Sequence, residues 1–553
     1  MRSTAQSILV TIFVSLLFPL QPSRAQTSAG AVDAGTSGAV VRVSPEITSS
    51  ELNAILADQT RSAKTIFFPA GTYHLGKIRL KQNTRIVLDD DAVIKVDGKY
   101  LFFNFELTDT HVLGYAGQGN ISVEGGTIHG HAASFIHASD VSFRNIKFRN
   151  SLNDHYFEIA ACRNFKIENC HFRGMAAQRE KRGYVEYVQL DNPARIGFPH
   201  LGKTDSPTFD GTPNTNIAIV GCSFDKGDTE PFDNLYAGIG SHGRGARYQT
   251  HISIVSNRFA HCSYAGISPR GWRHVVIEDN VFEQCSSALL LKFGNNDVVF
   301  RNNQVSHADN GVYALNDNNS TFRFLKIDDN RFDHCAHRLN VDIIPQEGIE
   351  PIAHGGLIFD TNNRIEDCGT DIVRCKRFYY ACGNAYVRPT AASGPVVLLD
   401  RTADCTLVNN RFSQIALKGG DVPFHVARIE NGHGALMIAN NESDSVPFHG
   451  AMLGNGDLVK ADGQAQLIAN RDLDTCLDTR NHQGENCTNT PPEVGSGKFT
   501  LQVFSEENRL FQVVISTSSN AMFMRTRHET WGGWAKIEKS SDVEALSALA
   551  TSR

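Results

Sequence analysis

A six-residue unit recurs through the middle of the chain and constrains the fold more than any other feature. Each copy combines a short apolar strand, an Asn-containing turn and a final apolar residue, as in Ile277–Phe282. Where nothing interrupts the repeat, the final residues of successive copies lie 23 or 24 positions apart. These final residues are Phe148, Phe172, Phe224, Phe259, Phe282, Val305, Phe332 and Phe412. A fixed period of this length, with strands and no helical pattern between them, predicts a parallel β-helix.

The repeat has a simple physical interpretation. Each coil lays short strands on those of the previous coil at about 4.8 Å, so that apolar side chains stack inside the tube. Asn suits the tight bends because it tolerates the left-handed conformation and can bond to its neighbours in stacked ladders. Helical repeats are the main competing interpretation, and the alternation of apolar residues within each unit argues against them.

The start of the repeat region resembles the opening coil of the pectate-lyase-like superfamily. The resemblance rests on Thr65–Tyr73, followed by Ile86–Leu88 and Ala92–Ile94. It implies an all-β fold, namely a right-handed parallel β-helix solenoid. The preceding stretch Ser49–Asp58 has a helix start signal, and we expect it to be an N-terminal helical cap over the open end of the core.

The N-terminus and the composition indicate an exported globular protein. Arg2, the apolar run Ile8–Leu20 and the small-x-small site Ser23–Ala25 predict a secretory signal peptide. We therefore expect a soluble, secreted or periplasmic protein. With 53 Lys+Arg against 59 Asp+Glu, the net charge is −6, which argues against a nucleic-acid partner held by bulk charge.

The C-terminal region resembles the pyocin-knob domain of phage tail fibres and tailocins. The resemblance rests on Phe523–Arg527 and Trp531–Ile537, and it implies a small β-rich knob for glycan or receptor attachment in oligomeric fibres. Alternatively, the two tryptophans of this stretch only fill a small core. The predicted organisation is a signal peptide (1–25), a linker (26–47), the β-helix catalytic domain (48–475), a second linker (476–497), the knob (498–540) and a tail (541–553).

Most of the 12 cysteines lie at repeating positions within apolar strands, as Cys170 and Cys222 do. Such cysteines are expected to be small buried core residues. Cys476 and Cys487 flank a polar loop and form the predicted disulfide. Neither a C-x-x-C motif nor a Cys/His zinc spacing is present, so a structural zinc site is not expected.

Two interruptions of the repeat, at residues 173–217 and 225–251, predict a binding groove. Glu158, Asp210, His242 and Arg270 precede the final residues of their units by 14, 14, 17 and 12 positions. These offsets predict one polar ladder along one face of the tube. The candidate catalytic residues are Glu158, Glu186, Asp191, Asp210, His242 and Arg270. The candidate substrate-binding residues are His155, Gln189, Arg244, Arg247, His251, Trp272 and Lys292.

Such side chains suit two kinds of polysaccharide cleavage. In β-elimination at a uronic acid, a cation neutralises the substrate carboxylate, and His242 or Arg270 takes the adjacent proton. Glu158, Asp191 and Asp210 offer the oxygen ligands that Ca²⁺ prefers. In hydrolysis, a carboxylate pair acts as acid and as base or nucleophile. The available pairs are Glu158 with Glu186 and Asp191 with Asp210.

The block from His155 to Arg270 resembles uncharacterised bacterial right-handed β-helix proteins of the same superfamily. The shared patterns are His-x-x-Glu, Gln-x-Asp, Asp-Gly-Thr-Pro and Gly-Ile-Gly-Ser-His, and the resemblance implies polysaccharide cleavage. The signatures of the pectate lyase and polygalacturonase families are absent, which argues against pectin itself.

Structural roles compete with each of these assignments. Asp210 begins a strong turn signal, Gln189 and Asp191 fit an internal polar ladder, and Lys292 fits a solvated outer face. The reaction expected first is lyase cleavage of a uronate-containing glycan, with a glycoside hydrolase as the alternative. A non-catalytic adhesin or tail-fibre-like protein is the other function class. Since β-helix proteins of the tailspike type often trimerise, a homotrimer also stays open.

Overall fold

The structure is a computed structural model. It describes residues 40–536 except 59–62, 99, 106–108, 110, 153–154, 177–184, 194–207, 243–246, 293, 316–323, 343–356, 375–377, 391–394, 401–403, 415–426, 431–435, 440, 444–450, 453–457, 460–465, 470–472, 476–480, 507–508, 517–521, 528–530 and 532. The predicted signal peptide and the C-terminal tail lie outside the described residues, as does most of the first predicted linker.

Three long sheets, which we call sheets A, B and C, form the body of the molecule. Each complete coil adds one strand to sheet A, then one to B and one to C, and neighbouring coils pair in parallel. Within the described residues, sheets A and C contain 15 strands each and sheet B contains 14. The predicted parallel β-helix is therefore confirmed.

Sheet A consists of Val40–Arg42, Lys64–Phe68, Thr84–Leu88, Ile121–Glu124, Ser139–Arg144, Arg163–Glu168, Thr215–Val220, Gln249–Val255, Trp272–Glu278, Asn296–Arg301, Phe324–Asp328, Leu357–Thr361, Phe378–Cys382, Asp404–Val408 and Leu436–Ala439. Sheet B consists of Gly71–Leu75, Ala92–Val96, Thr127–His129, Lys147–Leu152, His171–Ala176, Ser223–Asp225, Arg258–Ala260, Val281–Glu283, Gln304–Ser306, Arg331–Asp333, Arg364–Glu366, Ala385–Val387, Arg411–Ser413 and Glu442–Ser443. Sheet C consists of Ile78–Arg79, Phe102–Phe103, Ala133–Ile136, Phe157–Ala160, Glu186–Asp191, Ala237–Gly240, Ala265–Ser268, Ser287–Leu291, Asn310–Leu315, His337–Asp342, Asp371–Arg374, Val397–Asp400, Ala427–Glu430, Ala451–Met452 and Leu458–Val459, the last of which pairs antiparallel.

The final residues of the sequence repeat form stacks inside the tube. The rings of Phe172 and Phe224 are 4.8 Å apart, and those of Phe224 and Phe259 are 4.7 Å apart, in both cases nearly parallel. These distances equal the spacing of paired strands, so the rings follow the backbone register. Each copy of the sequence repeat therefore contributes one side chain to a stack in the core.

A ladder of asparagines runs through the turns between sheets A and B. The backbone N–H and the side-chain amide of Asn280 both donate to Asn303 Oδ1 at 3.0 Å, and the amide also donates to the Ile254 carbonyl at 2.9 Å. Asn302, which directly precedes Asn303 in the chain, has φ of 56°, in the left-handed region. The two neighbouring asparagines therefore have different roles: Asn302 bends the backbone, and Asn303 satisfies buried polar groups.

A helix at Ser49–Ala57 covers the start of the tube. Thr48 and Glu51 form a capping box, and Leu52 and Leu56 are buried against the first coils. The side-chain oxygen of Asn53 accepts a hydrogen bond from Arg79 N at 2.8 Å, which joins the helix to the first strand of sheet C. The predicted helical cap is present.

A separate sheet lies at the C-terminal end. It contains Gln466–Ala469, Asn481–Glu485, Phe499–Glu506, Arg509–Ser516, Met522–Arg527 and Ala535–Lys536, and a short 3₁₀ helix occupies Leu473–Thr475. Its first two strands precede residue 498, so the sheet begins earlier than the predicted knob and includes part of the predicted linker.

The two tryptophans of the C-terminal region flank one arginine. The guanidinium of Arg525 lies 4.7 Å from the ring centre of Trp531 and 4.3 Å from that of Trp534. Trp534 also packs against the small hydrophobic core of this sheet. Both rings therefore have a structural role here, while the pyocin-knob resemblance stays a prediction.

The repeat cysteines are buried core residues, as expected. Cys170, Cys222, Cys262 and Cys285 are free thiols with at most 2% exposure. Cys476 lies outside the described residues, so its disulfide with Cys487 stays a prediction. No helix in the described part of the chain has the length and apolar character that crossing a bilayer would require.

Candidate functional site

Five of the six predicted catalytic residues, all except Asp210, lie on or just after strands of sheet C, on the face that points away from the core. Glu158 is in register with Gln189, Gln189 with Gly240, and Gly240 with Ser268. These four positions form one row across four successive coils. At the near end of the row, the Ser134 hydroxyl lies 3.3 Å from Glu158 Oε2.

A second row follows two residues later, where the strands of sheet C end. Asp191 is in register with Ala160, and Asp191 Oδ1 accepts the backbone N–H of His242 at 2.8 Å. In the next coils, Arg270 forms a parallel bridge with Lys292. Asp191, His242, Arg270 and Lys292 therefore occupy equivalent places in consecutive coils, beside the row of Glu158.

Glu186 is the centre of the site. Its Oε2 lies 2.8 Å from Nε2 of His242 and 3.8 Å from Nδ1 of His155. The side chain of Glu186 is only 3% exposed, and that of His242 is 18% exposed. Burial by itself raises the pKa of a carboxyl, but His242 and then His155 outweigh it and lower the pKa of Glu186 to about 2. Glu186 is therefore a buried, ionised carboxylate at neutral pH.

His155 approaches Glu186 from the preceding coil. Its Nδ1 lies 2.6 Å from the backbone oxygen of Glu186, and its ring centre is 5.2 Å from that of His242. Both imidazoles thus converge on a single carboxylate. The sequence predicted His155 only as a substrate-binding residue, whereas the structure places it in direct contact with the central acid.

Gly240 makes room for this arrangement. A Cβ at position 240 would lie 2.7 Å from Cγ of Glu186 and 3.0 Å from the Ser268 carbonyl oxygen. Since real Cβ atoms do not approach so closely, any side chain here would displace Glu186. Gly240 was not among the predicted site residues, although it lies two residues before His242 in the Gly-Ile-Gly-Ser-His stretch.

His242 is held from its other side as well. The side-chain nitrogen of Gln189 lies 3.2 Å from His242 Nδ1 and 2.5 Å from Asp191 Oδ2. Gln189 and Asp191 are each 1% exposed. The imidazole is thereby oriented by a backbone contact to Asp191, a side-chain contact to Gln189 and the carboxylate of Glu186.

Asp210 has a different role from the one predicted. Its Oδ2 accepts hydrogen bonds from Gly114 N and Thr212 Oγ1, and its Oδ1 accepts one from Thr212 N, all at 2.8 Å. These bonds offset the effect of burial and lower the pKa of Asp210. Asp210 lies before a strand of sheet A, not on sheet C, and it joins two loops. The prediction that it belongs to the polar ladder is corrected.

The three predicted Ca²⁺ ligands are not brought together. Among the described residues, two groups of three side chains have ligand atoms within 4.8 Å of one another. One is His155, Glu186 and His242, and the other is Asp333, His334 and Asp367. Neither includes Glu158, Asp191 or Asp210. Glu158 and Asp191 are separated because the strand register pairs Glu158 with Gln189 and Asp191 with Ala160. Asp210 already accepts hydrogen bonds within its loops.

A glycan-binding role for Trp272 is contradicted by its burial. The indole is fully buried, and its Nε1 donates to Ser241 Oγ at 2.6 Å. Ser241 in turn donates to the Leu190 carbonyl. Trp272 therefore supports the backbone that carries His242 and does not face a ligand.

The remaining predicted substrate-binding residues are dispersed. His251 lies in a strand of sheet A, with its ring 5.0 Å from that of His274. Arg247 is exposed, and its backbone oxygen accepts a hydrogen bond from Asn192. Arg244 lies outside the described residues.

Lys292 brings two aromatic residues to the site that the sequence did not suggest. Its Nζ donates to the Tyr264 hydroxyl at 2.5 Å, and the Tyr264 ring stacks on Tyr236 with centres 4.4 Å apart. Both tyrosines are partly exposed and directly precede strands of sheet C. The stack therefore lies at the entry of the coils that carry His242 and Arg270.

A family model and one curated protein match the sequence. The model, described as "Right handed beta helix region", matches residues 210–443. The "Plasmin and fibronectin-binding protein A" of Streptococcus pneumoniae (strain ATCC BAA-255 / R6) is 26% identical over 255 residues, which cover 39% of this chain and 34% of that protein. The match thus spans about a third of the length of that relative.

Three solved structures are among those similar to this chain. The surface protein and adhesin PfbA of Streptococcus pneumoniae has 18% identity and a TM-score of 0.46, covering 73% of this chain and 94% of that one. A Family 28 exopolygalacturonase of Yersinia enterocolitica has 12% identity and a TM-score of 0.47, covering 74% and 79%. A tailspike protein of E. coli bacteriophage HK620, in complex with a hexasaccharide, has 11% identity and a TM-score of 0.46, covering 90% and 89%.

The parallel sheets of the structure and the family match agree on the architecture. This chain has the fold of a right-handed parallel β-helix.

Proposed function

We propose that this protein is an exported polysaccharide-degrading enzyme that acts at the outer face of sheet C by β-elimination at a uronic acid. The observation that carries the proposal is the contact between the buried, ionised Glu186 and His242. A carboxylate that orients an imidazole and stabilises its protonated form is a common arrangement for proton abstraction. A stalk made only of regular coils has no need of such a pair.

In the proposed reaction, His242 takes the proton from the carbon next to the substrate carboxylate. The electrons of that C–H bond form a C=C double bond, and the glycosidic C–O bond to the leaving sugar breaks. The leaving oxygen receives a proton from water, and His242 returns the abstracted proton to water, which restores the site. Arg270 and Lys292 follow His242 in the next coils, and their charges would lower the energy of the anionic intermediate by pairing with the uronate.

Glu186 is less suited to hydrolysis than to β-elimination. A general acid must be protonated at the working pH, and a pKa of about 2 keeps Glu186 ionised. A hydrolase would therefore have to use Glu158 or Asp191 as the acid. The two reactions therefore differ in which variants lose activity, as well as in their products.

A surface adhesin is the second candidate function. The sequence similarity to a protein named as plasmin- and fibronectin-binding favours it. In that case the tube would present a binding surface, and Glu186 would serve only to hold the local structure. Export follows from the predicted signal peptide at residues 1–25, and a homotrimer remains a prediction.

One assay separates these functions. The purified protein is incubated with a panel of acidic and neutral polysaccharides, with and without chelator, while absorbance near 235 nm and reducing ends are followed. A lyase gives both signals on a uronate glycan, a hydrolase gives reducing ends alone, and an adhesin binds without either. The proposal fails if no polyuronate produces the ultraviolet signal.

A further inference from the structure

We propose that His155, Glu186 and His242 also form a binding site for a divalent transition-metal ion of the Zn²⁺ type. We call these three residues the His–Glu–His cluster. The inference concerns the same site as the proposed function, and it depends on that function only for its effect on activity. Ion binding itself can be tested without any substrate.

The distances within the cluster suit a metal site. One ligand atom from each residue lies within 4.8 Å of the other two, and the closest pair is 2.8 Å apart. With metal–ligand bonds of about 2.0–2.2 Å, two ligands at right-angle to tetrahedral positions lie roughly 2.9–3.5 Å apart. The observed separations bracket this range, so small side-chain rotations would close the site.

The second contacts of the two histidines differ. A histidine that binds a metal usually donates its other ring N–H to a carbonyl or carboxylate, which fixes the tautomer. His155 Nδ1 lies 2.6 Å from the Glu186 backbone oxygen, and donation there leaves the ring lone pair on Nε2. Because Nδ1 is also the atom that lies 3.8 Å from Glu186 Oε2, coordination through Nε2 requires the ring to rotate. His242 Nδ1 faces the side-chain nitrogen of Gln189, which is a donor, so the proton of a neutral His242 lies on Nε2, toward Glu186. An ion bound to Nε2 would displace that proton.

The ligand types select the class of ion. Two imidazoles and one carboxylate suit Zn²⁺ and neighbouring first-row metals, whereas Ca²⁺ requires six to eight oxygen ligands. The burial of His155 and Glu186, which are 6% and 3% exposed, favours an ion that sheds most of its water. The cluster therefore does not replace the predicted Ca²⁺ site but has a different preference.

A second group in the same chain provides an internal comparison. Asp333, His334 and Asp367 also have ligand atoms within 4.8 Å, but His334 is exposed. Arg388 already pairs with Asp367 at 2.8 Å. Because this group has one imidazole, is open to water and holds a competing cation, we expect it to bind the ion far more weakly.

Ion binding would affect the proposed reaction directly. An ion on Nε2 would displace the proton through which Glu186 orients the ring, and its charge would disfavour a second proton on the same imidazole. Metal-loaded and proton-transferring forms of the site are therefore mutually exclusive. A chelator that removes the ion would raise lyase activity, and added Zn²⁺ would lower it.

The test measures Zn²⁺ and Co²⁺ binding to the purified full chain by competition with a chromophoric chelator and by the visible spectrum of the Co²⁺ form. We expect one tight equivalent. The substitution His155→Gln should weaken it by more than about 100-fold, since removing a ligand costs more than removing a second contact. Glu186→Gln should do the same, and His334→Ala should leave it unchanged.

The outcomes are decisive whichever reaction the protein performs. Loss of the tight equivalent in both cluster variants, with circular dichroism and melting temperature retained, supports the site. Absence of a tight equivalent in the unaltered chain overturns it, as does equal binding by the His155→Gln variant. A chain that binds the ion but cleaves no polyuronate would refute the proposed function and leave the metal site standing.

Discussion

The protein buries charge in two places, one inside the tube and one on its outer face. Inside, Arg338 is fully buried and its Nη1 donates to Asp360 Oδ1 at 2.6 Å. Its Nε and Nη2 bond to Asp371, and Nη2 also donates to the Tyr386 hydroxyl at 2.9 Å. On the outer face, Glu186 is equally buried but meets two imidazoles.

The two clusters differ in what surrounds the charge. The Arg338 group links strands of all three sheets across the interior, and Tyr379 completes it with a hydrogen bond to Asp360 at 2.7 Å. The His–Glu–His cluster lies where the repeat is interrupted, and His242 keeps 18% exposure. Buried charge alone therefore does not mark a functional site. The two clusters differ in the face of the sheet on which they lie, and only the His–Glu–His cluster has partners that can transfer a proton near neutral pH.

The largest effect is expected from the interior cluster. Arg338→Met leaves two buried carboxylates without their cation, and it should destabilise the protein by about 3–5 kcal/mol. Thermal or denaturant unfolding checks this. Adding Asp360→Asn and Asp371→Asn to the variant should restore part of the stability because the unpaired charges are gone. If Arg338→Met unfolds like the unaltered chain, the interior network contributes little.

Glu186→Gln should have its main effect on activity. The isosteric amide keeps the volume but removes the charge that stabilises protonated His242, and lyase turnover should fall at least about 100-fold. The control is Glu283→Gln, which removes an exposed ion pair with Arg258 and should leave turnover unchanged. Equal turnover in the Glu186 and Glu283 variants would show that the outer cluster is structural, like the interior one.

Gly240→Ala should have an intermediate effect. The new Cβ pushes on Glu186 Cγ, so we expect a loss of about 10-fold in turnover, with a stability cost of about 1–3 kcal/mol from overpacking. Gly533→Ala is the matched control, because a Cβ there meets no atom within 4 Å. A Gly240→Ala protein that retains full turnover would mean that the position of Glu186 is not critical.

The smallest effect is expected at Asp210, through pH. Hydrogen bonds lower its pKa in the folded state, so its contribution to stability is present above the unfolded pKa of about 3.9 and is lost as pH falls through the folded value. For a partly exposed carboxylate we expect about 1 kcal/mol. Asp210→Asn should lower the melting temperature at pH 7 and flatten its dependence on pH below 5. An unchanged acid profile would contradict the role of Asp210 in joining the loops.

The sequence predicted the tube and the face of the site because both follow from the repeat. Counting back from Phe172 and Phe259 predicted Glu158 and His242 on one face of the tube, and the structure has Glu158 within the strand Phe157–Ala160 and His242 just after the strand Ala237–Gly240, both of sheet C. The partners of Glu186 were not predictable in this way. Tyr187 and Val188 are both in the core, so strict alternation fails and Glu186 and Gln189 reach the same group from three positions apart.

The predictions for Trp272 and Asp210 were wrong for different physical reasons. Trp272 was a candidate substrate-binding residue, but the register turns it inward, under Ser241. The Asp-Gly-Thr-Pro pattern is a turn signal, and the Asp210 carboxylate accepts hydrogen bonds from Thr212 in that turn and from Gly114, which is 96 residues away in the sequence. Contacts over such separations depend on how the loops fold over the coils, which the period of the repeat does not encode.

The most direct measurement is the ultraviolet time course of the purified protein on a set of polyuronates, run beside its Glu186→Gln variant at equal concentration. We predict that at least one polyuronate gains absorbance near 235 nm with the unaltered chain, and that the variant slows this gain at least about 100-fold. A flat trace on every polyuronate, or equal rates for the two proteins, would contradict proton abstraction at Glu186 and His242.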